Sequence, residues 1–313
     1  MHQDLAAVVD LVWAYERRQF GEPTTAAEEL AALWRRPRLD LARDAWLVDV
    51  GNEVAGYALV RGFDPHTELF GDLVVRQGRE DAVLACVLLD LVEGRAREHV
   101  ALAPPGTAVR LGFYVPQPDD ERRRLLAAAG YDVVRTSYRM VGHLAAGSPR
   151  PRPPRGVRIA PLHPGRDEVA VHACLEEAFS EHFRYSPQPL EEFLHELTDN
   201  DCYDPELWLI AWDGNEVAGV VGAFAYPGAV EIDTLGVRRP WRRRGLGSTL
   251  LRSVFAELAG RGATDICLFV DAANETGAVA LYRSVGLRVA QAYDCLLKEL
   301  RASATGESAQ PHR

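Results

Sequence analysis

Apolar and polar residues alternate along this chain of 313 residues in patterns typical of both helices and strands. Apolar residues at three- and four-residue steps predict helices over 3–18 and 24–36. Two apolar runs, 46–50 and 54–61, then flank the turn sequence GNEVAG at 51–56, a pattern typical of a β-hairpin. Because strands and amphipathic helices continue to alternate, the pattern predicts an α/β fold (α+β, mixed sheet).

The hairpin pattern occurs twice. GNEVAG recurs at 214–219, an offset of 163 residues, between the apolar runs 208–212 and 217–226. Aligning Val75 with Val237 also superposes two amphipathic helical segments. The chain is therefore predicted to contain two copies of one α/β unit of about 150 residues, within the usual size of a domain.

Composition changes where the copies meet. Residues 145–156 are rich in proline and arginine, which is typical of a semi-rigid linker. We predict domains at 1–144 and 157–301 joined by this linker. The tail, 302–313, is small and polar and is predicted to be disordered.

A strand, a turn and a helix in the second copy suggest an anion site. Residues 230–237 predict a buried strand, and 248–258 carry helical periodicity. The turn between them contains RRRGLG at 242–247, where glycine leaves backbone N–H groups accessible at a helix start. The spacing differs from that of the dinucleotide and nucleoside-triphosphate motifs.

These residues resemble a known motif. The sequence VRRPWRRRGLGS at 237–248 is similar to the pyrophosphate-binding turn of the GNAT superfamily of acyltransferases. Downstream, LFVDAAN at 268–274 and ALYRSVGL at 280–287 resemble the next strand and helix of that superfamily. The resemblance implies two tandem GNAT domains, and acetyl-CoA as the co-substrate of an N-acetyltransferase.

The resemblance also implies where acetyl-CoA lies. The donor is expected in a V-shaped gap where the strand ending at Val237 splays from the strand at 266–270, with a bulge as the usual device for re-aiming the first strand. The expected contacts with acetyl-CoA are Leu235, Gly236, Val237, Arg242, Arg243, Arg244, Gly245, Leu246, Gly247, Ser248, Asn274 and Arg283. For Asn274 the alternative is a turn-forming role without contact to the cofactor.

Two residues are candidates for proton transfer. Tyr282 matches the tyrosine of the superfamily helix and would protonate the leaving thiolate; the alternative is a core aromatic. Glu231 would accept the amine proton through water, and Asp233 would help to attract a cationic acceptor. Without a bulge between them, both carboxylates would share one face of the strand. The alternative is a carboxylate pair that caps the sheet edge or binds arginine.

The acceptor is expected to meet the loop after the first helix of the second copy and the last segment, 288–297, interpreted as a hairpin. His182 has no partner at metal-ligand spacing, so no metal site is predicted. The predicted acceptor contacts are Asp233, Glu177, Glu181, His182, Arg184 and Tyr185.

The first copy differs from the second at the positions of the anion-binding turn and of the two candidates for proton transfer. Acidic residues would repel a pyrophosphate, and side chains at the glycine positions would block the backbone. We therefore predict a degenerate first domain. At offsets of 162 and 156, the counterparts of Arg242, Arg243, Gly245, Gly247, Glu231 and Tyr282 are Glu80, Asp81, Val83, Ala85, Leu69 and Leu126.

Composition narrows the function. Apolar residues make up 47% of the chain and no apolar run could span a bilayer, so a cytoplasmic protein without membrane contact is expected. The net charge of −10 disfavours nucleic acid and favours a neutral or cationic small molecule. Five scattered cysteines predict no disulfide framework. A monomer and a homodimer both fit.

Three functions stay open. The first is acetylation of a primary amine of a small molecule, and the tandem arrangement is similar to that of the mycothiol synthases, which acetylate a cysteinyl amine. The second is acetylation of proteins or peptides. The third is a non-catalytic acyl-CoA sensor or interaction module.

Overall fold

The computed structural model describes residues 4–304 except 37, 52, 63–64, 79–80, 146, 148, 183–184, 186 and 275. The chain divides into two compact units. Unit 1 consists of Met1–Thr136 together with Ala292–Arg313, and unit 2 consists of Ser137–Gln291. Most of the predicted tail, 305–313, lies outside the described residues.

Unit 1 begins with two helices, as the apolar spacing predicts, and continues as alternating strands and helices. Its strands follow the order β1-β2-β3-β4-β11, with β3 parallel to β4 and the other neighbours antiparallel. Its elements are α1 (Leu5–Phe20), α2 (Ala27–Trp34), α3 (Leu41–Asp44), β1 (Ala45–Val50), β2 (Glu53–Gly62), β3 (Glu68–Val75), α4 (Asp81–His99), β4 (Val109–Pro116), α5 (Asp120–Ala128) and the start of β5 (Asp132–His143).

Unit 2 repeats this plan. Its strands follow the order β5-β10-β9-β8-β7-β6. Short 3-10 turns at Pro205–Leu207 and Arg239–Trp241 precede β7 and α8. Its further elements are β6 (Val157–Pro161), α6 (Glu168–Phe179), α7 (Leu190–Thr198), β7 (Leu209–Asp213), β8 (Glu216–Tyr226), β9 (Ala229–Val237), α8 (Leu246–Gly260), β10 (Asp265–Asp271), α9 (Ala278–Ser284) and the start of β11 (Arg288–Arg301).

Both faces of the unit 2 sheet are covered by helices. On one face, Leu250 and Val254 of α8 share a buried core with Leu268 of β10. On the other face, α6 approaches β9 so closely that a Cβ atom at Gly236 would lie 2.8 Å from the Cδ2 atom of Leu175. Gly236 therefore has a packing reason, in addition to any role at the site.

The final strand of each sequence copy is exchanged between the compact units. From Ser137 onward β5 pairs with β10 inside unit 2, and from Ala292 onward β11 pairs with β4 inside unit 1. The compact units are thus composed differently from the sequence copies. The segment 288–297, expected to form a hairpin, instead belongs to one continuous strand of 14 residues, so that expectation was wrong.

Within the described residues, no helix combines the length and the apolar character needed to cross a membrane. The same part of the chain contains no cluster of three or more His, Cys, Asp or Glu side chains arranged to hold a metal ion.

Candidate active site

The turn between β9 and α8 presents a row of backbone donors. Arg243 and Gly245 both adopt left-handed conformations, with φ angles of 60° and 78°. The N–H groups of residues 243–248 have no acceptor among the residues that the structure describes. Successive N–H groups in such a turn, followed by a helix start, form a concave surface that binds anions.

The two glycines of this turn serve different purposes. Gly245 is the N-cap of α8 and has a φ of 78°. A Cβ atom there would meet no neighbour within 4 Å, so the reason for glycine is the positive φ and not a lack of space. Gly247 has ordinary backbone angles, but a Cβ atom would lie 3.1 Å from Leu281 of α9. Gly245 therefore shapes the turn, whereas Gly247 allows α9 to pack close to it.

The three arginines of the turn also divide. The Arg242 guanidinium donates to the carbonyls of Val237 and Ala178 at 3.0 Å and to Glu181 at 2.7 Å, and so ties the turn to β9 and α6. Arg243 and Arg244 are exposed and have no carboxylate at ion-pair distance among the described residues. Two exposed cations thus remain beside the row of donors, while Arg242 has a structural role.

The gap expected between two strands of unit 2 is present. Strands β9 and β10 are parallel, and the one register pair between them joins Glu231 to Cys267. On its other side β9 continues to pair with β8 as far as Val237. Residues 232–237, all of them described, therefore have a ladder on one side and none on the side of β10. Alternate N–H and C=O groups of Leu235, Gly236 and Val237 can thus bond a ligand in the gap.

A β-bulge lies in β9 beside this gap. Gly222 pairs with Thr234, and Ala223 pairs with Ile232, which leaves Asp233 as the extra residue. Before the bulge Val230 and Ile232 face the α8 core, and after it Leu235 and Val237 do so. The bulge thus reverses the alternation. The expectation that Glu231 and Asp233 share one face required that no bulge intervene, so it no longer applies.

Tyr282 lies in α9 and is 92% shielded from solvent by the core it shares with Val270 and Leu246. Burial raises the pKa of its hydroxyl to about 12. No described residue forms a hydrogen bond with that hydroxyl. The group is therefore protonated at neutral pH and able to donate to a ligand.

Asn274 shapes the entry to α9. Its side-chain oxygen accepts from the N–H groups of Thr276 at 2.9 Å and of Ala278 at 3.3 Å. This is the turn-forming geometry named above as the alternative to a contact with CoA. Arg283, one turn further along α9, is exposed.

Two carboxylates that were predicted to contact an acceptor are paired with arginines. Glu177 accepts from Arg238 at 2.7 Å, and Glu181 accepts from both Arg239 and Arg242. The Arg242 guanidinium holds the pKa of Glu181 below its usual range. These pairs connect α6 to the arginine-rich turn and leave less free negative charge for an acceptor than the sequence suggested.

His182 and Tyr185 follow α6. The His182 ring packs on Phe179 with ring centroids 4.8 Å apart. Burial first, and the Arg242 charge second, lower the pKa of His182, although Asp271 and Glu181 oppose them. The hydroxyl of Tyr185 donates to the carboxylate of Glu176. Arg184 lies outside the described residues.

Two residues on the Glu231 side of the unit 2 sheet were not predicted. Phe269 of β10 is 49% exposed, and Arg139 of β5 lies directly opposite it. Phe269 gave no signal in the sequence, because the residues on both sides of it are apolar as well. Arg139 gave none either, since its strand belongs to the first sequence copy.

Comparisons with known proteins agree with this geometry. Residues 170–287 match the Acetyltransferase (GNAT) family. The chain is 33% identical over 247 residues to a mycothiol acetyltransferase of Thermobispora bispora, an alignment that covers 75% of this chain and 77% of the relative. A mycothiol acetyltransferase of Catenulispora acidiphila is 29% identical over 301 residues, which cover 86% and 90% of the two chains.

Solved structures are similar over almost the whole chain. A GCN5-related N-acetyltransferase from Sphaerobacter thermophilus superposes with a TM-score of 0.83 at 32% identity, covering 97% of this chain and 95% of that one. A tandem GNAT protein from the clavulanic acid biosynthesis pathway superposes with a TM-score of 0.73 and covers 96% of both chains. At 15% identity the second likeness concerns the fold alone.

Proposed function

Because the chain belongs to the GNAT family of acetyltransferases, we propose that it transfers the acetyl group of acetyl-CoA to a primary amine of a small molecule. The predicted family, fold and enzyme class are confirmed by the same comparisons. The donor, the acceptor class and the residue roles below are the proposal.

The observation that carries the proposal is the combination of the open gap with the row of donors. Beyond Glu231 the strands β9 and β10 no longer pair, and the N–H groups of 243–248 follow β9 after one short 3-10 turn. A diphosphate on these N–H groups, with Arg243 and Arg244 beside it, would place a pantetheine chain along the unpaired edge of β9. Main-chain donors at that edge would also polarise the thioester carbonyl.

The proton balance assigns two side chains. The amine nitrogen bonds to the thioester carbonyl carbon, and the carbon–sulfur bond breaks. Glu231, half-buried where the two strands part, accepts the amine proton through a water molecule. The Tyr282 hydroxyl, with its raised pKa, then donates a proton to the departing thiolate.

The acceptor is proposed to be a small molecule of the kind that the relatives are named for. The names of the relatives support a mycothiol-related amine as the first acceptor to test. A cytoplasmic location, where acetyl-CoA is available, and a monomeric or homodimeric state are part of the same proposal.

The test is acetyl-CoA binding by isothermal titration, followed by free-thiol release across a library of amines and peptides. Turnover of small amines supports the proposal. Turnover of peptides alone indicates a protein acetyltransferase, and binding without any turnover indicates an acyl-CoA sensor. The intact mass of the protein is the control, because Lys298 is the sole lysine of the chain and self-acetylation is easily counted.

A further inference from the structure

One face of the unit 2 sheet, here called the acceptor face, contains charged and exposed residues beside the gap. Ile266, Leu268 and Val270 of β10 lie in the core under α8, so the alternate residues of that strand face the other way. The acceptor face is formed by Glu231 of β9, Cys267, Phe269 and Asp271 of β10, and Arg139 of β5.

Arg139 is on this face because of the exchanged strand. Its neighbours Tyr138 and Met140 belong to the α8 core, so Arg139 points to the opposite face. It is paired in register with Phe269, and cross-strand partners of this kind have adjacent side chains. Cys267 lies two residues before Phe269 in β10 and is paired in register with Glu231. Arg139, Phe269, Cys267 and Glu231 therefore lie on one face of three neighbouring strands.

Unlike Arg238 and Arg242, Arg139 lacks an anionic partner among the described residues. Arg238 and Arg242 each donate to a carboxylate at 2.7 Å. Arg139 is half-buried and has no carboxylate at ion-pair distance among the described residues. Its recorded contact is with the side-chain oxygen of Gln291 at 3.5 Å, the outer limit of a hydrogen bond. A permanently charged guanidinium in this position attracts an anion.

The equivalent face of unit 1 supports a role in binding. Register pairing makes Phe70, Tyr114, Cys295 and Pro116 the counterparts of Glu231, Phe269, Arg139 and Asp271. Phe70 and Tyr114 stack with their ring centroids 5.7 Å apart. Every charged position of the acceptor face is thus uncharged in the unit whose turn is acidic. The fold alone therefore does not require a charge at the position of Arg139, since unit 1 has the same fold without it.

We propose that Arg139 is a specificity-determining residue that binds an oxyanion of the acceptor, a carboxylate or a phosphate, at the end remote from the reacting amine. The inference rests on the proposed function. Two inter-strand steps and two residues along a strand separate the Cα atoms of Glu231 and Arg139 by about 12 Å. The acceptor therefore carries its oxyanion on the order of 10 Å from its amine, with Phe269 beside the segment between them.

Matched acceptors test this. Linear terminal amines of graded length are compared as pairs, each as the free carboxylate and as the carboxamide: aminohexanoate, aminooctanoate and aminodecanoate. Alkylphosphonates that carry a terminal amine at the same chain lengths separate carboxylate from phosphate recognition. Thiol release gives kcat/KM for both members of each pair, with the wild type, Arg139→Gln and Arg139→Lys.

The wild type should prefer the charged member of at least one pair by about tenfold in kcat/KM, as expected of a charge-assisted pair. Arg139→Gln should bring that ratio close to one, and Arg139→Lys should keep part of it, because the charge remains but the planar fork is lost. Arg158→Gln is the matched control. Arg158 is an exposed arginine on β6, at the other edge of the same sheet, and its removal should leave the ratio intact.

The outcomes separate the two proposals. If amines are acetylated but no charged member is preferred, or if Arg139→Gln keeps the preference, the role of Arg139 is wrong and the proposed function stands. If none of these amines is acetylated while other small amines of the library are, the role of Arg139 is wrong and the proposed function stands. If acetyl-CoA binds but no amine of these pairs or of the library is acetylated, the proposed function fails, and the role of Arg139 fails with it.

Discussion

Units 1 and 2 contain the same strand and helix, but the described starts of the two helices differ. In unit 2 the first N–H groups of α8 have no acceptor among the described residues. In unit 1 the corresponding helix begins at Asp81, whose carboxylate accepts from the N–H of Ala82 at 2.8 Å. Val83, the counterpart of Gly245, has a side chain where Gly245 has none, and it is 63% exposed. The same fold can therefore present or cover its backbone donors through a few side chains.

The second difference is one residue of strand length. In unit 1, β2 and β3 pair without interruption from Gly56 and Val75 to Gly62 and Leu69. In unit 2 the equivalent pairing is shifted at Asp233. Glu231 pairs with Phe224 of β8, and the β2 counterpart of Phe224 is Arg61, which pairs with Phe70. The structural counterpart of Glu231 is therefore Phe70 and not Leu69. The sequence alignment of Glu231 with Leu69 was therefore wrong by one residue, and the bulge is the reason. Asp233 has no counterpart in unit 1.

The largest expected effect comes from removal of the Tyr282 hydroxyl, a group that the unit 1 counterpart, Leu126, lacks. Tyr282→Phe should lower kcat on the order of 100- to 10,000-fold while acetyl-CoA still binds, because the thiolate loses its proton donor. Single-turnover kinetics and titration calorimetry measure the two effects. Tyr114→Phe, an exposed tyrosine of unit 1, is the control and should change neither. An unchanged kcat in Tyr282→Phe would assign the tyrosine to packing alone.

Glu231→Gln should follow, with kcat/KM lower by about 100-fold near neutral pH. The loss should shrink as pH rises towards the pKa of the acceptor amine, since more of the amine is then already deprotonated in solution. A pH–rate profile measures this. Glu216→Gln removes an exposed carboxylate of β8 in the same unit and should have the profile of the wild type. A loss that is independent of pH would argue that Glu231 positions the acceptor rather than accepting its proton.

Deletion of Asp233 would give β9 the uninterrupted register of β3. The protein should fold, as unit 1 does with that register, but kcat/KM should fall by about 100-fold because the strand edge at the gap is displaced. Circular dichroism and steady-state kinetics check the two parts. Asp233→Ala keeps the extra residue, so it separates loss of the carboxylate from loss of the bulge. Equal losses in both variants would show that the bulge is unnecessary.

Gly245→Val copies the unit 1 turn. A β-branched residue at a φ of 78° costs about 1–2 kcal/mol, and a turn that relaxes to relieve this strain loses its donor geometry. Binding must then restore the strained turn, so the Kd for acetyl-CoA should rise by about 5- to 30-fold. Titration calorimetry gives the change directly. Gly262→Val, at an equally positive φ after α8 and away from the turn, controls for backbone strain. If both variants lose affinity to the same extent, the turn is not the anion site.

The smallest effect concerns alkaline pH. Burial raises the pKa of Tyr282 to about 12, so its protonated form persists to higher pH than that of an ordinary tyrosine, whose pKa is about 10. The value of kcat should therefore stay level up to about pH 10.5 once the amine is deprotonated. A fall in kcat centred near pH 10, in protein that remains folded, would contradict the buried environment of the hydroxyl.

Local pattern predicted much of this fold. The hairpin turns at 51–56 and 214–219 and the helix α8 are encoded within short segments, whereas the gap beside β9 was expected from the family resemblance. The bulge was expected as a device, but its position at Asp233 was not, since inserting one residue leaves the apolar character of the strand unchanged. The ion pairs of Glu177 and Glu181 were missed because their arginine partners are about 60 residues away, at separations of 61 and 58 residues.

The strand exchange was beyond prediction for the same reason at greater range. His143 pairs with Asp265 across 122 residues, and nothing near either residue specifies the partner. Arg139 consequently escaped notice, since its strand was assigned to a domain expected to lack chemistry.

Exchange of the last strands also predicts how the gene product behaves when divided. A fragment starting after residue 156 would retain β10 but lack β5, so one edge of β10 would be open to any passing strand. Neither half alone should be a well-behaved enzyme. When the two halves are produced together, however, they should associate and restore acetyltransferase activity, so that the activity measures their association.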